Sequence, residues 1–476
     1  MIREPPPQPT REELIALIQA QAAEIAALKA RVAELERRLG LNSSNSSKPP
    51  SSDGLKKPLR VRSLRERSKK PTGGQKGHKG ETLRQSANPD KIEDHHPRAC
   101  SGCGAPLTSD DGMGFAARQV FDLPEPQPLV VTEHRAHRRQ CPNCGTVTQA
   151  EFPEGVNAPV QYGVRIAAFV VYLLHFQMLP EDRLALLMAD LFGVKLCAAT
   201  IANMSRACAT RLQDLVATIR DLVAAAGVKH MDETGFRIGG KTRWLHVACT
   251  KLLTFYRVCA KRGALLSEVV DVVGVIVHDH WKPYYTMAGV QHALCNAHHL
   301  RELKALVEIE KEDWARRMQS LLRRACHAAN LARERDVPVK PRLIALFEQR
   351  YDAIVAQGMA FHEALPPLAA AGAAKQRGRA PRRTGHNLLL RFEARKADAL
   401  RFLLDAAVPF SNNEAERDVR MMKLRQKISG GFRSEDGAAD FAAIRSVLAT
   451  ARKQGWNVIE ALTRSPEALA QALRLS

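Results

Sequence analysis

VKHMDETG, residues 228–235, and GVIVHDH, residues 274–280, decide how this chain folds. Before Gly227 the apolar residues recur at helical spacing, and after it the period turns strand-like. Val228–Met231 runs into Asp232-Glu233-Thr234-Gly235, and Gly274–Val277 is a buried strand that ends at His278-Asp279-His280. Between them, Arg243–Thr250 (RWLHVACT) and Leu253–Ala260 (LTFYRVCA) read as two further strands, and Ala264–Val270 as a short helix. An acid at the end of a buried apolar strand is costly unless it is paired or bound to a metal. A capping aspartate at a strand-to-loop turn is the plain alternative for each one alone. Two such aspartates on successive strands, with a third carboxylate on a later helix, match a two-metal phosphodiester site. There carboxylates hold two Mg²⁺ ions ~4 Å apart, one activating the nucleophile and one stabilising the leaving oxygen.

The third carboxylate is sought in Ser411–Arg433, SNNEAERDVRMMKLRQKISGGFR, an amphipathic helix closed by Gly430-Gly431. Ser411 and Glu414 have the spacing of a capping box. Ala415, Val419 and Met422 form a packing face, and Asn412, Glu416, Arg420 and Lys423 line the edge beside it. That edge is either a solvated face with an ordinary Glu–Arg pair or a metal and phosphate site. Beyond it, Gly437–Gln454 reads as a core helix through Phe441, Ile444 and Leu448, with Trp456 as a packing anchor.

The chain has 476 residues, a formal net charge of +21 and 45% hydrophobic residues, so it can build real cores and needs a polyanionic partner, foremost nucleic acid. No apolar run is long enough to span a bilayer, and MIREPPPQPT has no signal-peptide h-region. A cytoplasmic, nucleoid-associated protein is expected. Thr10 and Glu13 open a helix to about Leu39 along which Ile18, Ile25, Val32 and Leu39 take a positions, with mostly Leu at d. That pattern favours a parallel two-stranded coil, although Gln21 at a d position weakens it. NSSNSSKPPSSD, residues 42–53, reads as a flexible linker. The basic stretch Leu55–Gly80 follows, with Lys56, Lys57, Arg60, Arg62, Lys69, Lys70 and Lys76 as candidate phosphate contacts. Its GGQKGHKG segment lacks the ending of a P-loop.

Cys100-x-x-Cys103 and Cys141-x-x-Cys144 have the spacing of a structural zinc site in a reducing compartment. The alternation between them suggests strands, and His134 and His137 read better as surface residues than as ligands. The other cysteines read as core-packed. Asn157–Ala226 is mostly helical, and Arg183–Leu191, a break at Phe192-Gly193 and Ala198–Arg211 have the outline of a helix-turn-helix. Val307–Asp405 is helical in pattern and carries the basic loop Lys375–Arg383. Cys295, His298 and His299 hint at another zinc site. Their spacing looks helical and no further ligand is near in sequence, so His298 is better read as positioning DNA or a carboxylate.

MDETGF at Asp232, VHDHWKPYY at Asp279, HALCNAHHLREL at His292–Leu303 and the SNNEAERDVRMMKLRQKISGGFRS stretch resemble the IS66-family transposases. The zipper, linker, GGQKGHKG and paired knuckles resemble that family too. The resemblance implies a DDE enzyme with an RNase H-like core, using Mg²⁺ (or Mn²⁺), with Asp232, Asp279 and Glu416 as catalytic and metal-binding acids. Glu233 ranks second because its side chain should point to the opposite strand face. Asn412, Asn413 and His298 would support the site, and Arg420, Lys423 and Arg425 would contact DNA beside it.

The expected fold is a multidomain α+β chain. It comprises a coiled-coil helix (1–41), a basic arm (42–99), a zinc-binding module (100–150) and a helical, DNA-binding segment (151–226). The α/β catalytic core (227–304) is interrupted by an all-helical insertion (305–405) and completed by 406–476. The implied activity is end cleavage and strand transfer on double-stranded DNA at element ends and target. Self-association would pair the ends, with accessory proteins of the same element as further partners. A domesticated DNA-binding regulator and a structure-specific nuclease are the alternatives.

Overall fold

The computed structural model describes residues 10–46, 85–108, 113–122, 129–263, 272–366 and 382–475. The predicted helix Ala264–Val270, the basic-arm residues Lys56, Lys57, Arg60, Arg62, Lys69, Lys70 and Lys76, and most of the loop Lys375–Arg383 lie outside them.

A small antiparallel pair comes first, β1 (Arg138–Gln140) with β2 (Val147–Gln149). The central sheet follows, built from β3 (Val228–Ile238), β4 (Lys241–Cys249), β5 (Thr254–Cys259), β6 (Val275–His278) and β7 (Gln291–Leu294). Its order is β5-β4-β3-β6-β7; β3, β4 and β5 are antiparallel, whereas β6 and β7 run parallel to β3. Gly239 and Gly240, at φ +51° and +80°, make the two-residue turn from β3 to β4, a conformation that suits glycine.

Alternation along β3 sorts its side chains into two layers. Phe236 and Ile238 share a core with Leu245, Val247 and Tyr256, covered by α11 (Asn413–Ser429). Met231 joins Ala248, Phe255 and Ile276 in a second core, covered by α5 (Gln213–Ala225) and the C-terminal half of α12 (Glu435–Lys453). The outer edge of β5 is closed by α12: the Ser446 hydroxyl accepts from the Tyr256 amide at 2.8 Å, and the Thr450 hydroxyl from the Thr254 amide at 3.0 Å. Edge amides that would otherwise invite another strand are thereby satisfied.

Before the sheet stand α1 (Arg11–Gly40), α2 (Val164–Val171), α3 (Glu181–Phe192) and α4 (Ala198–Arg211). Gly193, left-handed at φ +66°, ends α3 at the expected break. After β7 come α6 (Asn296–Ala305), α7 (Asp313–Glu334), α8 (Pro341–Glu363), α9 (Thr384–Ala394) and α10 (Lys396–Leu404). They form a core with Val275 and Val277 of β6, so the described part of the interruption is helical, as expected. The chain closes with α13 (Val458–Thr463) and α14 (Pro466–Leu475), both packed into the second core.

Several expectations are corrected. β7 falls within the expected α/β core segment but is not foreseen as a strand, because four residues are too short for a period to show. Between the cysteine pairs only β1 is a regular strand among the described residues; its partner β2 follows Cys144. Ser411 does not cap α11: Asn412 is the cap residue, without a side-chain cap bond, and Glu414 pairs with Arg417 at 2.5 Å. The Thr10–Glu13 capping box is present. The start of the linker is folded. The Asn42 carboxamide oxygen accepts from the Ser44 amide at 2.8 Å, and Ser44 and Asn45 are buried. They meet Lys304 and Glu308 at 2.7 and 3.3 Å.

Candidate active site

The register of β3 against β6 brings the two aspartates together. The ladder ends with His230 opposite Val277; Asp232 follows two residues later on β3 and Asp279 just past the end of β6, close enough for its charge to act on Asp232. Asp279 sits just past the end of β6, where its carboxylate accepts from the Trp281 amide at 3.1 Å. His280 between them takes φ +76°, a costly conformation for a non-glycine residue, and its ring meets the Tyr285 hydroxyl at 2.7 Å.

Glu416 arrives on the first turn of α11, and Asn412 sets where that helix begins. Asn412 is fully buried; its amide group donates to the Met231 carbonyl at 2.8 Å, and its carboxamide oxygen meets His230 Nδ1 at 3.0 Å. Its backbone amide donates to Cys295 Sγ at 3.2 Å. One side chain thus ties the start of α11 to the residues just before Asp232. Burial pushes the Asp232 carboxyl well above its usual range, and the charges of Glu233, Asp279 and Glu416 push it further. Asp279 and Glu416 therefore each lie within electrostatic reach of Asp232, although the three carboxylates are not gathered within 4.8 Å of one another among the described residues. Hard oxygen donors under mutual repulsion are the set that a divalent cation such as Mg²⁺ relieves, so the residues fit one.

Glu233 is held by its own set of partners and is a structural anchor. Its side chain is 1% exposed, accepts from the Tyr284 hydroxyl at 2.7 Å and from both Nε and Nη2 of Arg262 at 2.9 and 2.7 Å. The Arg262 guanidinium in turn lies 5.0 Å from the Trp244 ring and 4.6 Å from the Trp281 ring. Burial raises the Glu233 carboxyl, while the bonds from Tyr284 and Arg262 oppose that rise. Sequence reasoning missed Arg262 and Tyr284, which no spacing marks.

Around Glu416, α6 supplies a second set of side chains. Cys295 Sγ donates toward Glu416 Oε1 at 3.5 Å, His298 Nδ1 lies 3.5 Å from the same oxygen, and Arg301 3.9 Å. His298 thus stands beside a carboxylate, as expected; His299 turns inward to Asn296 and Phe392. Of the expected DNA contacts, Arg420 is exposed. Lys423 donates to the Gly235 carbonyl at 2.8 Å. Arg425 is used internally, with its guanidinium 3.6 Å from the Phe432 ring and a bond to the Gly430 carbonyl. Burial lowers its pKa to about 10, an environment unlike that of an open phosphate contact. Asn413 is exposed at the start of α11.

The two cysteine turns are built alike. The Cys100 amide donates to Ala105 and the Gly104 amide to Cys100, at 2.8 and 2.9 Å; Cys141, Thr146 and Gly145 repeat both bonds at the same lengths. Gly104 and Gly145 take φ +77° and +74°. Hydrogen bonds from the Cys103 and Gly102 amides lower the Cys100 thiol, and those from Thr146 lower the Cys144 thiol, which favours the thiolate a metal needs. Among the described residues, however, the four sulfurs are not gathered within 4.8 Å of one another; the group that is comprises Cys295, His298 and Glu416. His134 and His137 are exposed. In the helix pair, α4 buries Ile201, Ser205 and Cys208, and Arg211 donates to the carbonyls of Leu462 and Arg464, so its basic end braces α13.

No helix among the described residues is long and apolar enough to cross a membrane. Comparison with family models matches residues 159–440, more than half of the chain, to the transposase IS66 family. Residues 97–145 match the zinc-finger binding domain of transposase IS66, and residues 3–84 match a family of unknown function. A search of curated proteins gives no match. The chain belongs to the IS66 transposase family.

Proposed function

We propose that the chain is a DDE transposase with an RNase H-like core that binds terminal inverted repeats and carries out Mg²⁺-dependent end cleavage and strand transfer. The observation that supports this reading is the parallel pairing of β3 with β6, near whose ends Asp232 and Asp279 lie, together with the charges of Asp279 and Glu416 acting on Asp232. The sheet order, three antiparallel strands followed by two parallel ones with a helical interruption before the third acid, supports the same reading.

In this reading Asp232, Asp279 and Glu416 hold the metal, which when bound supplies nucleophile activation and charge neutralisation at the scissile phosphate. In it the Trp281 amide anchors Asp279, and the buried Asn412 fixes the start of the helix that carries Glu416. Water attacks the phosphodiester at the element end, and the freed 3′-hydroxyl then attacks target DNA, so no Ser or Tyr nucleophile is required. Exposed Arg420 lies one turn beyond Glu416, where phosphates would run.

The zinc module, with Cys100, Cys103, Cys141 and Cys144 as Zn²⁺ ligands, and the basic arm bind the ends. The α1 seam pairs them: Ile18 is 63% and Leu39 86% exposed, leaving its apolar stripe ready for a second copy. Working units at 1–41, 42–99, 100–150, 151–226, 227–304, 305–405 and 406–476 are part of this proposal. The test compares a terminal-repeat duplex, a scrambled duplex and a branched junction as substrates for the purified full chain. Cleavage confined to the terminal repeat is expected. Preference for the junction would favour a structure-specific nuclease, and binding of the repeat without cleavage a regulator.

A further inference from the structure

Cys295 and His298 were read as a poor metal pair because no further ligand lay near them in sequence. The fold supplies one from more than a hundred residues away: Glu416 of α11. Cys295 is the cap residue of α6 and His298 its third helical residue, the two positions whose side chains converge in a capping box. Here they converge on Glu416 Oε1, with Cys295 Sγ and His298 Nδ1 each 3.5 Å from it, and all three ligand atoms lie within 4.8 Å of one another. Zinc–ligand bonds of about 2.3 Å to sulfur, 2.0–2.1 Å to nitrogen and 2.0–2.2 Å to oxygen, set tetrahedrally, require separations of about 3.5 Å for S–O and 3.3 Å for N–O. The observed spacings fit that geometry nearly unmoved.

A second observation points the same way. His298 Nδ1 is buried and makes no hydrogen bond among the described residues, despite the nearby carboxylate. Cys295 is 1% exposed, and its Sγ accepts from the Asn412 amide at 3.2 Å while its thiol faces Glu416. Arg301, 3.9 Å from the same carboxylate oxygen, is the competing cation.

We propose that Cys295, His298 and Glu416 form a three-ligand site for a soft divalent metal of the Zn²⁺ class, with a fourth position open. Binding exchanges the Cys295 thiol proton for the ion and releases that proton to solvent. An ion held here takes the carboxylate that the proposed catalytic site needs, so soft-metal occupancy and Mg²⁺ catalysis would exclude each other. That consequence rests on the DDE reading; the binding does not.

The test is a Co²⁺ titration of the metal-stripped, reduced full chain, read by thiolate-to-cobalt charge-transfer and tetrahedral d–d absorption. Wild type should bind one equivalent more than Cys295→Ser or His298→Gln, whatever the cysteine knuckles contribute to both. Glu416→Gln, an isosteric change at a half-buried position, should weaken that extra equivalent at least tenfold without abolishing its charge-transfer band. Asp232→Asn and Asp279→Asn should retain it, so loss of strand transfer in those variants and loss of cobalt binding in the others are separate results. Equal stoichiometry and spectra for wild type, Cys295→Ser, His298→Gln and Glu416→Gln would overturn the site.

Discussion

Asn412→Ala should loosen the helix that carries the third acid without touching any acid. The Asn412 side chain makes two buried bonds, to the Met231 carbonyl at 2.8 Å and to His230 Nδ1 at 3.0 Å. Truncation leaves both partners buried and unpaired, at about 1–3 kcal/mol each, so α11 should lose about 2–6 kcal/mol of local stability. Hydrogen exchange reads this directly as a fall in the opening free energy of α11 amides. Ser411→Ala is the matched control: a true cap would cost about 1 kcal/mol. Because α11 starts at Asn412 without a side-chain cap bond, the Ser411 change should stay within about 0.5 kcal/mol. A loss below 1 kcal/mol for Asn412→Ala, or a larger loss for Ser411→Ala, would refute the latch.

Arg262→Ala strips the buried Glu233 carboxylate of its guanidinium and should destabilise the chain by about 1–3 kcal/mol, below the value for a fully buried pair because Arg262 itself is 43% exposed. Urea unfolding checks this, and Arg262→Lys should recover only part of it because the stack on Trp244 and Trp281 is lost. His175 is buried and its pKa lowered to about 3, first by burial and then by Arg425 and Arg445, against about 6.5 unfolded. Between those values the unfolded chain binds the extra proton. The His175 contribution is therefore present above pH 6.5 and lost as the pH falls. The stability difference between wild type and His175→Gln should shift by about 1.4 kcal/mol per pH unit between about pH 6 and 4; a pH-independent difference would contradict the assignment. Ile25→Asp, on the exposed α1 seam, should convert a dimer to a monomer in light scattering, and an unchanged mass would exclude the zipper.

What the sequence made legible was whatever has a long period or a charged end. The sheet core was readable because apolar runs stop abruptly at Asp232 and Asp279. The start of α11 was misread by one residue. Ser411 has capping chemistry, but the tertiary bonds of Asn412 to Met231 and His230 outweigh a local cap. β7 was invisible at four residues, and the folded Asn42–Ser46 turn was hidden because its partners, Lys304 and Glu308, lie far along the chain. The same blindness to distance dismissed Cys295 and His298 and kept Arg262 out of view. Arg425 shows the converse: its charge pattern marked it for DNA, while the fold spends its guanidinium on Phe432 and Gly430.

The central claim is that Asp232, Asp279 and Glu416 act as one catalytic set. It is tested most directly by Mg²⁺-dependent strand transfer on the native element end, with purified wild type beside Asp232→Asn, Asp279→Asn and Glu416→Gln. Each substitution should abolish cleavage and strand transfer while terminal-repeat binding stays at the wild-type level. Any one of the three retaining wild-type cleavage would contradict the account.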